Sequence, residues 1–274
     1  MKLATIRTGS GATVAVRIDS DQAVELGVPD VSTLLAGQDW RQRAQESGPS
    51  HPVDGLDYAT LLPSPGKTFC VGLNYRNHIL ETGRDLPEYP TLFAKFPEAL
   101  IGAHDEIALP VEDPKMDWEA ELGVVIGAPM RRVSPEDAVA GIVGYTVVND
   151  ISARSFQNRT IEWLQGKTFE NSTPVGPHLV TADEFDGTSG EIVCEVNGET
   201  MQQSDIGDLL FGPAQLVSYI STIITLRPGD LIVSGTPGGV GNARKPPVYL
   251  DEGDVVVTRV AGLGECRNTC RRDG

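Results

Sequence analysis

The segment Asp117-Trp118-Glu119-Ala120-Glu121-Leu122-Gly123-Val124-Val125-Ile126-Gly127 joins acids to an apolar run. Read as a strand, it points residues two apart the same way. Glu119 and Glu121 then share one face at close quarters. Two carboxylates beside a core repel each other and lose solvation, so one binds a proton or both bind a cation. A third acid, Asp150, ends the apolar run from Gly141 to Asn149. Three carboxylates at strand ends, with no His or Cys close by, suit a hard divalent ion such as Mg²⁺ or Mn²⁺. Each acid also has a plainer use. An E-x-E pair is often two solvated residues on an edge strand, and Asp150 can N-cap the helical stretch after it.

His78 and Glu81 are three apart, which puts them on one face of a helical turn. A carboxylate bonded to one imidazole nitrogen fixes the tautomer and raises the basicity of the other, as activation of water requires. The pair follows a strand, in a Gly/Pro-flanked segment with the character of a lid; a surface His near a Glu is the alternative. Arg154 and Gln157 are also three apart, on the stretch after Asp150. Arg154 can fix a substrate carboxylate or pair with Glu119 or Glu121. Lys167 can neutralise a developing enolate or stand in solvent. Gly235-Thr236-Pro237-Gly238-Gly239-Val240-Gly241 follows an apolar strand. Its backbone N–H groups can approach an anion closely, or it is a structural turn. Without a G-K-[ST] ending it is not a nucleotide P-loop.

These residues need strands to hold them. Short alternating runs at 3–6, 13–18 and 22–26 predict antiparallel strands, and 36–57 predicts a helix plus linker. The boundary falls near Leu61-Leu62-Pro63, giving a small N-terminal β-rich domain over 1–62 and a catalytic domain over 63–274. Further strands are expected at 68–72, 91–95, 107–109, 118–126, 142–149, 178–181, 190–197, 230–234 and 254–260, with a polar tail after the last. Residues 152–165 carry helical spacing through Ala153, Phe156, Ile161 and Leu164, and 213–226 reads as a helix stopped by Arg227-Pro228-Gly229. The fold class is therefore mostly β, of α+β type.

The 274 residues suffice for one large domain or one with a small companion. Glycine (30) and proline (19) are abundant, as in a strand- and turn-rich chain. A net charge of −16 argues against a nucleic-acid or anionic-membrane partner, though not against a small anionic substrate. No apolar run is long enough to span a bilayer, and no signal peptide is visible. The four cysteines, Cys70, Cys194, Cys266 and Cys270, show no C-x-x-C pairing. Reduced thiols in a cytoplasmic protein are the expectation.

Taken together, the chain resembles the fumarylacetoacetate hydrolase family. The matching pieces are Gly72-Leu73-Asn74-Tyr75 with His78 and Glu81; Asp117 to Leu122; Asn149 to Arg154 with Gln157; Gly166-Lys167 with Pro174 to Pro177; and Gly235 to Gly241. They run in family order across roughly residues 65–270. The resemblance implies a mixed β-roll catalytic domain, a small N-terminal β domain and a homodimer. It also implies Mg²⁺ or Mn²⁺ on Glu119, Glu121 and Asp150. His78 with Glu81 would activate water, and Lys167 would act beside them. Arg154, Gln157, Gly235 and Thr236 would bind the substrate, a small anionic 2-oxo acid. The implied reactions are hydrolysis of a 2,4-dioxo acid to pyruvate and a carboxylic acid, isomerisation of a 2-oxo-enedioate, or decarboxylation of oxaloacetate, the first being ranked highest. Glu170 replaces the family's usual Asp, and Ser172-Thr173 its Phe-Cys, both beside Lys167.

Overall fold

In the computed structural model the described residues are all but Thr82, Arg84 and Gly274, and the side chain of Glu81 also lies outside the description. The carboxylate half of the His78–Glu81 pair, and part of the Gly/Pro-flanked segment expected to act as a lid, therefore fall outside the described residues.

The strand Ala120–Ile126 (AELGVVI) is buried at every position, as is Ile142–Asn149 (IVGYTVVN). Both are rich in β-branched residues, which pack well on a pleated sheet. They pair antiparallel, with Ala120 opposite Asn149 and Glu121 opposite Val148. Alternation places Leu122, Val124 and Ile126 in one apolar cluster and Val125 in another, so the strand has core on both faces.

This pair forms the centre of an 11-stranded sheet. On one side lie Thr173–Thr181, then Lys2–Arg7, Thr13–Asp19, Gln22–Glu25 and Ser50–Pro52. On the other lie Leu231–Val233, Thr68–Gly72 and Thr91–Ala94. Leu231–Val233 and Thr68–Gly72 run parallel, which brings the Gly-rich loop and the segment before His78 to one sheet end. A five-stranded sheet packs against this one in the order Glu199–Asp205, Glu191–Val196, Val255–Val260, Gly264–Asp273, Ile107–Pro110. The protein is mostly β, as expected. The first 62 residues join the large sheet through Lys2–Arg7, which pairs with Thr173–Thr181.

Three expectations are corrected. The helix over 152–165 is instead a two-residue strand, Ser152–Ala153, a helical turn, Arg154–Gln157, and a 3₁₀ turn, Trp163–Gly166. Ser152–Ala153 pairs with Met116–Asp117, and that pairing overrides local spacing. Ile161, placed on the apolar stripe, is 93% exposed. The polar tail after 260 is a ten-residue strand, Gly264–Asp273, whose Cys266, Asn268 and Cys270 face inward. Residues 36–57 contain the short helix Trp40–Arg43 and also a strand, Ser50–Pro52; a further helix, Val31–Ala36, precedes them. The helix Pro213–Ile223 is present, with Pro213, Leu216, Val217 and Ile220 turned to the core. All four cysteines are buried and unpaired.

Candidate active site

Glu119 stands just before the central strand, Glu121 lies on it, and Asp150 follows its antiparallel partner. The Asp150 N–H donates to Glu119 O (2.8 Å), which ties the two strand ends together. Glu119 is 7% exposed, Glu121 1% and Asp150 0%. Each offers a carboxylate oxygen, and these oxygens all lie within 4.8 Å of one another. Asp150 does not cap a helix; the turn that follows begins four residues later, with Ala153 at its N-cap.

Cations are drawn into this cluster. Lys167 Nζ donates to Glu119 Oε2 (2.6 Å) and Asp150 Oδ2 (2.9 Å). Lys95 Nζ lies 2.8 Å from Asp150 Oδ1 and donates to Ile151 O and Lys167 O. Arg154 meets Glu119 Oε1 through Nη1 (2.7 Å) and Asp117 through Nε (2.8 Å) and Nη2 (2.7 Å). Four buried carboxylates thus face three buried cations. The unmatched one is Glu121, which makes no ion pair among the described residues and accepts from the Gly235 N–H.

The protonation pattern follows. Burial pushes the Glu121 pKa well above the usual carboxylate range, and Asp150 and Glu119 push it further. Burial would raise Asp150 too, yet Lys167 and Lys95 hold it below its ordinary value. Burial works to lower Lys167, but Asp150 and Glu119 outweigh it and raise the pKa. Arg154 behaves alike, with Glu119 and Asp117 overcoming its burial.

These residues fit a divalent ion. All the donors are hard oxygens, and the local excess charge is negative. Glu121 needs a proton or a cation. Asp150 Oδ1 meets only the Lys95 ammonium among the described residues, at 2.8 Å, and retains lone pairs for a cation.

Glu119 and Glu121 line a cavity of about 240 Å³ together with His78, Arg154, Gln157, Lys167 and Thr236. Phe93, Trp163, Leu73 and Val240 supply its apolar wall. The cavity is smaller than the ~300–1,000 Å³ typical of drug-sized ligands. His78 reaches it from the short helix Arg76–Glu81. Gln157 accepts from Arg154 Nη1 (2.9 Å). Thr236 sits at the start of the Gly-rich loop, whereas Gly235 turns its N–H to Glu121 and is not among the cavity's lining residues. At φ +104°, Gly235 occupies a conformation that favours glycine.

Sequence reasoning passed over several residues here. No local pattern marks Lys95, Gln202, Trp163 or Asn242, and Asn149 enters only as the end of an apolar run and the start of a family segment. Asn149 accepts the Glu119 N–H (2.8 Å) and donates to Thr258 Oγ1 (2.8 Å). Asp117 was within reach, because it continues the alternation of Glu119 and Glu121. It is 0% exposed and also accepts from the Gly241 and Asn242 N–H groups (2.7 and 2.9 Å).

A fumarylacetoacetate hydrolase C-terminal family model matches residues 67–271. A mitochondrial oxaloacetate tautomerase of Bos taurus is 42% identical over 219 residues, covering 79% of this chain and 70% of its own. The Xenopus laevis oxaloacetate tautomerase is 42% identical over 250 residues, covering 89% and 76%. Among solved structures, the fumarylacetoacetate hydrolase of Exiguobacterium antarcticum superposes with a TM-score of 0.89 at 28% identity, over 100% of both chains. The 2-hydroxyhepta-2,4-diene-1,7-dioate isomerase of Mycobacterium marinum gives 0.81 at 31% identity, over 100% of this chain and 99% of that one. Sequence match and fold agree over the segments that carry the acids, the lysine and the Gly-rich loop: the chain belongs to the fumarylacetoacetate hydrolase family.

Proposed function

We propose that the protein is a Mg²⁺- or Mn²⁺-dependent enzyme acting on small 2-oxo acids, and that its reaction is keto–enol tautomerisation of oxaloacetate. The observation that carries this is the small cavity in which buried Glu119 and Glu121 meet Lys167 and His78. Its volume suits a compact acid, and the two relatives at 42% identity carry the name oxaloacetate tautomerase.

Tautomerisation moves a proton between C3 and the 2-oxo oxygen through an enolate. Lys167 stays protonated between two carboxylates, so it serves as a fixed positive donor and not as a base. In the keto-to-enol direction His78 takes the proton from C3 and delivers it to the 2-oxo oxygen, and in the enol-to-keto direction it carries the proton back from that oxygen to C3. Arg154 holds Glu119 and Gln157 in place. A divalent ion held by Glu119, Glu121 and Asp150 would supply Lewis-acid stabilisation of enolate charge when bound. Phe93, Trp163 and Val240 would give the reacting carbon an apolar wall.

Hydrolysis of an acylpyruvate such as fumarylpyruvate is the second reading. It is favoured by His78 at the cavity with Glu81 three residues on in the same helix, the arrangement that activates water. Isomerisation of a 2-hydroxyhepta-2,4-diene-1,7-dioate and oxaloacetate decarboxylation would use the same charges. The working form is proposed to be a cytoplasmic homodimer. Every assigned residue lies in 63–274, the proposed catalytic domain, with 1–62 as its β-rich companion.

The test is a panel of 2-oxo acids with Mg²⁺ and Mn²⁺, products identified. Accelerated decay of enol-oxaloacetate without pyruvate release supports tautomerisation; pyruvate from an acylpyruvate replaces it by the second reading. Glu119→Ala, Glu121→Ala and Asp150→Ala should each abolish activity and weaken Mn²⁺ binding in calorimetry. Wild-type affinity in all three folded variants refutes the metal site. His78→Ala should lower turnover by about 10²–10⁴-fold.

A further inference from the structure

Thr236 is held by a residue from the other sheet. Gln202, on Glu199–Asp205, is 1% exposed. Its Oε1 accepts the Ala120 N–H (2.9 Å), between the two glutamates of the central strand. Its Nε2 donates to Thr236 Oγ1 (2.8 Å) and Pro237 O (2.9 Å). The amide cannot be turned over. Ala120 N–H only donates and Pro237 O only accepts, so both ends of the Gln202 amide are assigned by their partners. Thr236 Oγ1 must then accept, and its own proton must point elsewhere. Among the described residues no protein acceptor receives it, and Thr236 lines the cavity.

Gln157 obeys the same logic. Arg154 has no acceptor, so the atom facing it is Oε1, and Gln157 Nε2 is left as a donor at the cavity. Meanwhile Arg154 gives its donors to Asp117, Glu119 and Gln157, and Lys167 commits two of its three N–H groups to Glu119 and Asp150, leaving the third for the enolate.

The family resemblance already implies that Thr236 and Gln157 bind the substrate; we propose that Gln202 is the positioning residue that fixes the polarity of this seat, holding Thr236 Oγ1 as an acceptor so that its hydroxyl can only donate to an anionic oxygen in the cavity. The inference rests on the reading of the cavity as a 2-oxo acid site and adds which residue sets the direction of the Thr236 hydroxyl. Neutral donors hold the carboxylate, while Arg154 stays with the protein's own acids and Lys167 keeps one N–H for the enolate oxygen. A neutral hydroxyl with its acceptor side free would welcome a donor as readily as an anion. Gln202 removes that freedom.

The experiment uses oxalate as probe, titrated by calorimetry into the whole protein with saturating Mg²⁺, alongside steady-state kinetics. Variants are Thr236→Val, Gln202→Met, Gln202→Glu and the double variant Thr236→Val/Gln202→Met. A hydrogen bond to a charged group is worth enough that losing it should weaken oxalate binding and raise KM by about tenfold. Turnover number should stay within about threefold. Gln202→Glu keeps the acceptor for Ala120 but gives Thr236 no N–H, so the hydroxyl turns its proton to the new carboxylate. It should therefore match Thr236→Val, and it decides the matter if Gln202→Met does not fold. The double variant should be no weaker than the worse single one, because both remove one interaction. Unchanged oxalate affinity in folded Gln202→Glu, additive losses in the double variant, or no oxalate binding by wild type each overturn the seat. Oxalate binding that depends on Gln202 in a protein that turns over no 2-oxo acid upholds the seat and overturns the functional reading.

Discussion

Asp150 is ionised in the interior because two ammonium groups face it. Lys167 is one; the other, Lys95, has a side chain at 0% exposure that also reaches two backbone carbonyls. Removing one partner of a buried pair leaves charge and carbonyls stranded, at a typical cost of about 3–5 kcal/mol. Lys95→Met is therefore expected to lower the unfolding free energy by roughly 3 kcal/mol or more. Denaturant titration measures it, and a wild-type midpoint would contradict this account of the charge cluster. Glu119 and Glu121 were legible in the sequence because they repeat at the period of a strand, and Asp150 because it ends an apolar run; Asp117 shares the same alternation and was readable by it. Lys95 was not, since Phe93-Ala94-Lys95-Phe96 holds nothing to pair with it. Its carbonyl partners, Ile151 and Lys167, lie 56 and 72 residues away, and its ion-pair partner Asp150 adjoins the first of them. A tertiary ion pair leaves no local pattern.

The Gly-rich loop shows how an element transmits strain to the site. A Cβ on Gly241 would come within 2.0 Å of Val248 O and 2.8 Å of Asp117 Oδ1. Neither can yield freely: one is backbone, and the other is held by Gly241 and Trp118 N–H groups. Gly241→Ala must push the loop off Asp117, and Asp117 is what orients Arg154. The expected result is a stability loss of about 1–3 kcal/mol, typical of overpacking, together with a fall in turnover of tenfold or more. Gly9→Ala, where a Cβ meets nothing within 4 Å, is the control and should stay within about 0.5 kcal/mol. If both variants behave alike in thermal melts and rate assays, the loop does not position Arg154. The loop itself was readable from Gly235 to Gly241, since only glycines permit such close approach. Other elements hid for definable reasons. Ser152–Ala153 became a strand because Met116–Asp117 lies beside it. Gly264–Asp273 looked like a polar tail because its inward residues are Cys266, Asn268 and Cys270, and the asparagine breaks the apolar alternation. That asparagine donates to Gly102 O and Asp105 O, contacts more than 160 residues distant.

At the scale of the whole molecule, no helix among the described residues is long and apolar enough to cross a membrane. Large apolar side chains stand exposed, among them Val111 at 62% and Ile161 at 93%. With the family resemblance they motivate the homodimer, which light scattering at micromolar concentration should register as twice 29.3 kDa. A monomer throughout that range would count against it. The junction of the first 62 residues with the rest sets a second expectation. His178, on Thr173–Thr181, lies beside Tyr58, whose hydroxyl is 3.3 Å from its Nε2. Burial, with the nearby Lys2 charge, lowers the His178 pKa from 6.5 to about 4. The folded protein therefore keeps this imidazole neutral where the unfolded chain protonates it. Its contribution is complete above pH 6.5 and is lost as pH falls from there to about 4, where the loss levels off. A gap of that size corresponds to about 3 kcal/mol. His178→Gln retains an acceptor for Tyr58 but cannot take up charge. It should flatten the slope of unfolding free energy against pH between 6.5 and 4, with little effect at pH 8. Equal slopes in the two proteins would show that the His178 imidazole does not carry the acid sensitivity, and that the junction between the N-terminal strands and the rest of the sheet is held without it.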